Sequence, residues 1–276
     1  MSRYSRRMGH IISDFYALYG FNSRSSAQLM EWFDYVTAAS EDFGYPFSEG
    51  CCSPGNSKIV QFKNCKRAFM NSRNNIRSVE LSSRLDDEPF GEGIIQAILD
   101  NEKGSSFLCY HDVLSTNGLP TKILGKICEI LNPGYAIYCK FPFVFGPGWY
   151  FYGYGTSELD ITPGWKLYNE RHVDIAVRIA AWRTNFKSNI RNSGKIDVLR
   201  EIYPINFINK SHLSHEIFPK TTLKDWIEAA DHRGTIAKAT DELWLWSVPD
   251  EDLYQVTVDL APTGILLCVN KDNPQR

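Results

Sequence analysis

The chain has 276 residues, 43% hydrophobic, 13% aromatic and 22% charged, with a formal net charge of −2. A chain of this length buries a self-sufficient core without metals or disulfides, and its balance of residues points away from disordered and fibrous classes. So small a net charge does not steer the whole molecule toward nucleic acid or a membrane.

The amino-terminal end starts basic, but Ser13 and Asp14 interrupt the following stretch before an export signal forms. No run of about 18 apolar residues occurs, which excludes an ordinary transmembrane helix. His10 to Phe21 reads as a strand. Leu29, Met30, Phe33 and Val36 then recur at helical spacing, predicting a helix over about 26–43 that stops at Gly44 and Pro46. Residues 45–57, rich in Gly, Pro and Ser, read as a loop. Residues 58–100 carry mixed signals, with a short helix expected near 93–101.

Phe107 to Val113 reads as a strand. Ile123, Leu124, Ile127, Cys128, Ile130 and Leu131 make a broad helical stripe within 121–131, ended by Asn132-Pro133-Gly134. From Tyr135 to Phe145 every second residue is apolar, the period of a strand with one buried face. Pro142 on its other face cannot donate a ladder bond, so an edge or a bulge is expected there. Gly146-Pro147-Gly148 turns the chain into Trp149–Gly155, where alternation puts Tyr150, Tyr152 and Tyr154 on one face. Strand, helix, strand, strand is half of a ferredoxin-like pattern.

Residues 166–192 fit a helix better than a strand over the longer window. Asn206 to Leu213 reads as a short helix, and Thr222 caps another beginning at Leu223. Gly234 to Lys238 reads as a strand. Leu243 to Val248, apolar on both faces, reads as a central strand covered on both sides. Pro249 followed by Asp250, Glu251 and Asp252 predicts a helix start, Gly264 its end, and Ile265 to Val269 a closing strand. The expectation is an α+β fold of mixed, mostly antiparallel sheets with helices packed on one face and ferredoxin-like βαββ elements. It forms one domain, or two subdomains at 1–160 and 161–276.

The seven cysteines, 51, 52, 65, 109, 128, 139 and 268, are odd in number and lack framework spacing. They read as reduced, buried thiols, suited to a cytoplasmic compartment. Cys51-Cys52 with Cys65 lacks the Cys-x-x-Cys step of a zinc site. His212 and His215 share a helix face without a third ligand, and read as surface or half-buried residues. Nucleophile elbows and phosphate loops are missing as patterns, so neither a metal nor another cofactor is expected.

What remains is surface. The tyrosine face of Tyr150, Tyr152 and Tyr154 joins apolar area to polar tips, as contact surfaces do. The acidic groups Asp86-Asp87-Glu88 and Asp241-Glu242 suit partner contact, whereas helix capping suffices for 250–252. Charge is uneven: residues 1–79 hold 10 Lys/Arg against 6 Asp/Glu, and residues 221–276 hold 5 against 10.

The carboxy-terminal third resembles the bacterial immunity protein 52 family. The likeness is carried by Leu199-Arg-Glu-Ile-Tyr203-Pro-Ile-Asn206, His212-Leu213, Thr222-Leu223 with Trp226-Ile227, Gly234-Thr-Ile, Trp244-Leu-Trp246 with Val248, and Gly264-Ile-Leu. What the resemblance implies is a non-catalytic inhibitor of a type VI secretion toxin, binding a nuclease effector in the cytoplasm. It implies no membrane contact and no direct contact with nucleic acid, and it leaves a homodimer open. Two other readings compete: a hydrolase or transferase using scattered carboxylates and His111 or His172, and a nucleic-acid-binding or scaffolding protein using the positive amino-terminal portion.

Overall fold

The computed structural model describes residues 12–83, 95–111, 120–142, 151 and 197–266. These fall into two compact units, Ser13–Pro133 and Gly134 onward. Both are α+β, with antiparallel pairing throughout their named strands.

The first unit is built on β1 (Ile12–Tyr19), β2 (Glu49–Ser53), β3 (Asn56–Gln61), β4 (Ser78–Ser83), β5 (Ile95–Asp100) and β6 (Ser105–His111), in spatial order β1-β6-β5-β4-β2-β3. β1 pairs with β6 from Ser13↔His111 to Tyr19↔Ser105. Three helices accompany them: α1 (Ser26–Asp42), α2 (Phe62–Ser72) and α3 (Pro120–Leu131). α1 starts where expected because Ser25 and Gln28 form a reciprocal capping box that satisfies two first-turn donors. Its face of Leu29, Trp32, Phe33 and Val36 is buried, each large side chain contributing about 1.5–3 kcal/mol by leaving water. Phe33 stacks on Phe69 of α2 at 4.4 Å. α3 buries all six residues of its sequence stripe.

Two stretches differ from the sequence reading. Residues 45–57 hold β2 and the start of β3 rather than a loop: Pro54-Gly55 is the turn between them, and Gly50 lies inside β2. A Cβ at Gly50 would meet the Glu80 carbonyl oxygen at 2.5 Å, so the glycine permits close strand pairing instead of marking a break. Residues 95–100 are β5 and not a helix. β5 lies between β4 and β6 and is buried on both faces, a pattern that periodicity does not distinguish from a buried helix.

The second unit contains β7 (Tyr135–Pro142), β8 (Ile205–Asn209), α4 (Lys210–Leu213), β9 (Glu216–Phe218), β10 (Thr221–Thr222), α5 (Leu223–Glu228), β11 (Thr235–Lys238), β12 (Leu243–Ser247) and α6 (Leu253–Leu260). Four strands follow the order β11-β12-β8-β7, and β9 pairs with β10 separately. Pro142 is the last residue of β7, beyond the Tyr135–Tyr138 stretch that pairs with β8. Of Asn206–Leu213, only Lys210–Leu213 is helical; the rest is β8, because pairing with β7 and β12 outweighs local helical pattern. Pro249 to Asp252 form a turn ahead of α6, whose N-cap is Asp252. β12 has neighbours on both sides, yet Trp244 and Leu245 are only half-buried while Leu243 and Trp246 are buried. The expected closing strand is seen as far as Leu266, which bridges Leu199 in parallel.

Trp149–Gly155 and 166–192 lie outside the described residues, except Phe151, which is helical and buried rather than extended. Among the described residues no helix is long and apolar enough to cross a membrane, and no cluster of three His, Cys, Asp or Glu could hold a metal. The six described cysteines are free thiols, buried except for half-buried Cys51. Burial pushes Cys51 up to about 11 and Cys65 up to about 12, which makes both poor nucleophiles.

Candidate functional site

The residues that carry the carboxy-terminal sequence pattern form the frame of the second unit. Asn206 is fully buried; its Nδ2 donates to the Tyr203 carbonyl at 2.6 Å and its Oδ1 accepts the Tyr203 N–H at 3.3 Å. A carboxamide satisfies both backbone groups of one residue in this way, which an apolar residue could not do without leaving them unpaired. Trp246, also fully buried, donates its indole N–H to the Arg233 carbonyl at 2.8 Å. The Arg233 guanidinium lies 4.3 Å from the Trp226 ring and donates to the Trp226 carbonyl at 2.8 Å, so one cation both stacks and closes the end of α5. Thr222 caps α5 in a reciprocal box with Asp225, and this hydrogen bond holds the Asp225 carboxyl below its usual range.

His212 is completely buried, contrary to the surface or half-buried reading. Its Nε2 lies 3.1 Å from the Val198 carbonyl, which only accepts, and its Nδ1 lies 2.9 Å from Asn209 Oδ1 and 3.3 Å from the Asn209 backbone nitrogen. Desolvation pushes its pKa down to about 3. His212 is therefore a neutral cap residue with both nitrogens engaged, and half-buried His215 does not share its environment. Arg200, fully buried, and Glu201, nearly so, sit just before β8; the Tyr203 hydroxyl donates to Glu201 Oε2 at 3.4 Å and the Tyr135 hydroxyl to the Glu201 carbonyl at 3.4 Å. As a buried polar group these residues escaped sequence reading, since nothing in Leu199-Arg-Glu-Ile announces that its charges lie inside.

The surface candidates divide differently. Asp86, Asp87 and Glu88 lie outside the described residues, as do Tyr150, Tyr152, Tyr154 and His172. Asp241 and Glu242 sit together at the tip of the β11–β12 hairpin, both exposed. Thr240 shapes this tip: its Oγ1 accepts the N–H groups of Glu242 at 3.3 Å and Leu243 at 3.1 Å, the local bonding by which Thr stabilises turns. Lys238 approaches Asp241 at 3.7 Å, with the Asp241 side chain fully solvent-exposed. Two solvated carboxylates held forward on a short hairpin, one loosely paired, can attract a cationic surface at long range. This arrangement suits recognition through charge.

Compared with models of known protein families, the chain matches none. No curated protein matches it in sequence. Among solved structures it is similar in fold to the Pseudomonas aeruginosa T6SS protein PA0821, at 8% sequence identity and a TM-score of 0.53, over 93% of this chain and 73% of that one. That likeness is one of fold.

Proposed function

We propose that this chain is an immunity protein that binds and neutralises a cognate antibacterial toxin of a type VI secretion system, with a nuclease effector as the expected partner. The observation that carries the reading is the fold shared with a T6SS protein across nearly the whole chain. The step from a T6SS association to immunity rests on the sequence reading of residues 199–266 alone, since no family model matches the chain.

In this reading the protein performs no covalent chemistry; it occupies or distorts the toxin's site in the cytoplasm of the producing cell. The residues that carry the carboxy-terminal sequence pattern hold the frame. Contact falls to exposed residues, and the Asp241–Glu242 tip is the described acidic element that fits a nuclease with a basic substrate cleft.

The test is co-expression. The product of the gene adjacent to this chain's is expressed as the candidate effector in a sensitive bacterium with and without this chain, and the two purified proteins are mixed and run through size exclusion. Restored growth together with co-elution is the expected result. Killing that persists despite soluble expression of this chain, or substrate turnover by the isolated chain, would overturn the reading.

A further inference from the structure

Between Pro54 and Arg77 the chain carries Lys58, Lys63, Lys66, Arg67, Arg73 and Arg77 and no Asp or Glu, so six of the ten basic residues of 1–79 fall in one short stretch. This stretch folds as β3 and α2. On α2, Lys63, Lys66, Arg67 and Met70 recur at steps of three and four and share a face. All four are exposed, while Cys65 and Phe69 are buried on the opposite side. Ile59 of β3 is 54% exposed and Met70 40%, two of the three exposed large apolar side chains among the described residues.

Local energetics run against this arrangement. Lys63 faces Lys66 and Arg67 at i+3 and i+4, where like charges repel. α2 has no acidic residue in its first turn and no side-chain cap at Gln61, so Lys63 stands at the positive end of the helix dipole. Among the described residues Lys63, Lys66, Arg67 and Arg73 make no ion pair. A surface that gathers cations at a cost to its own helix offers a site for negative charge from outside.

The apolar residues decide between a phosphate backbone and a protein. Single-stranded nucleic acid is held by exposed rings on which bases stack. Here the aromatic side chain at the start of α2, Phe62, is stacked on Phe33 at 5.9 Å, and the exposed apolar groups are the aliphatic Ile59 and Met70. β3 also ends the strand order of its unit, so its outer edge has no neighbouring strand among the described ones. Such an edge is where an extended protein segment pairs. We propose that the outer face of β3 and α2 docks an acidic extended segment of a partner protein, which runs along β3 with its carboxylates toward Lys63, Lys66 and Arg67 and its apolar residues against Ile59 and Met70. This inference concerns the chemistry of one face and stands apart from the toxin-binding reading.

The test uses the full chain and a dye-labelled peptide alternating Glu and Val, beside a labelled single-stranded deoxyoligonucleotide of equal charge. Fluorescence anisotropy at low and near-physiological salt gives affinities, and backbone amide shifts locate the contact. The expected result is that the peptide binds with shifts confined to β3 and α2. The triple variant Lys63→Glu, Lys66→Glu, Arg67→Glu should weaken it by about tenfold or more, and Ile59→Ser with Met70→Ser should weaken it without changing its salt dependence. Lys224→Glu, on α5, should leave it unchanged. Circular dichroism establishes that each variant is folded, and the milder Lys66→Gln, Arg67→Gln pair replaces the triple variant if that one is not. Peptide that fails to bind, equal affinity in the charge variants, or tighter binding of the oligonucleotide at this face would each overturn the proposal.

Discussion

The side-chain oxygen of Asn101 accepts the backbone N–H of Arg24 at 2.8 Å, joining the turn after β5 to the segment that leads into α1. The same carboxamide donates through Nδ2 to the Ile76 carbonyl at 3.0 Å, and the Asn101 N–H reaches the Arg77 carbonyl at 2.7 Å. One buried side chain thus ties together three segments distant in sequence. Asn101→Asp preserves shape but replaces the donor toward Ile76 with a second acceptor and adds charge. A loss of roughly 2–4 kcal/mol is expected, read as a lowered urea midpoint. An unchanged midpoint would mean that water replaces these bonds freely.

The depressed pKa of His212 sets a pH dependence. In the folded chain the imidazole stays neutral down to about pH 3, whereas in the unfolded chain it gains a proton near pH 6.5. Between those values the unfolded state holds more protons, so stability rises with pH; the contribution is fully present above about 6.5 and fades as pH falls. The slope should be on the order of 1 kcal/mol per pH unit below pH 6. His212→Gln should flatten it, as measured by denaturant unfolding at several pH values; an identical slope in the variant would assign the dependence to other groups.

Two glycines should respond in opposite directions to alanine. At Gly50 the new methyl meets the Glu80 carbonyl at 2.5 Å and a Leu81 methyl at 2.8 Å, whereas at Gly125 of α3 nothing lies within 4 Å. Gly50→Ala should cost roughly 1–3 kcal/mol through overpacking. Gly125→Ala should add roughly 0.5–1 kcal/mol through helix propensity. Thermal melts should fall for the first variant and rise for the second; a Gly50→Ala melt that does not fall would contradict the packing described for β2, and a Gly125→Ala melt that does not rise would contradict the open space on α3.

The Asp241–Glu242 tip carries a functional prediction. Replacing both by Lys should slow association with a basic effector surface by about tenfold or more at low salt and by less at high salt, because exposed charges act chiefly on encounter. Stopped-flow mixing across ionic strengths measures this. A rate that is slowed equally at all salt concentrations would point to a direct contact instead of steering, and an unchanged rate would remove the tip from the binding surface.

Much of the fold was legible where local rules agree with tertiary needs. Ser25, Thr222 and Gly264 mark helix ends by chemistry that acts within a few residues. The stripe in α3 reports a single buried face; in β7 the alternation marks a strand but not its burial, since successive residues from Tyr135 to Cys139 are all buried. β5 was misread because it is apolar on both faces, and β2 because Gly50 and Pro54 are the residues of loops as well as of tight hairpins. Asn206 was placed in a helix because its partners Tyr203 and Trp246 are revealed only by the sheet.

The surface was harder to read. Asp241 and Glu242 are two adjacent acids between strand patterns, and the structure places them exposed at a hairpin tip. The basic face of α2 stayed hidden inside a modest charge excess, since α2 itself was not recognised and its cations share a face only once it is helical. Arg200 and His212 went unread for the opposite reason: polar residues are presumed exposed, and burial depends on neighbours that sequence spacing does not disclose.

The pairing of Ser13 with His111 and of Tyr19 with Ser105 has a consequence for biosynthesis. At about 5–20 residues per second, the ribosome needs on the order of five to twenty seconds after finishing β1 to make the strand that covers it. During that interval β2 to β5 can assemble while Phe15, Leu18 and their neighbours wait without a partner, exposed to chaperones and to other nascent chains. Slowed translation between residues 20 and 105 should therefore raise misassembly more than an equal delay after His111.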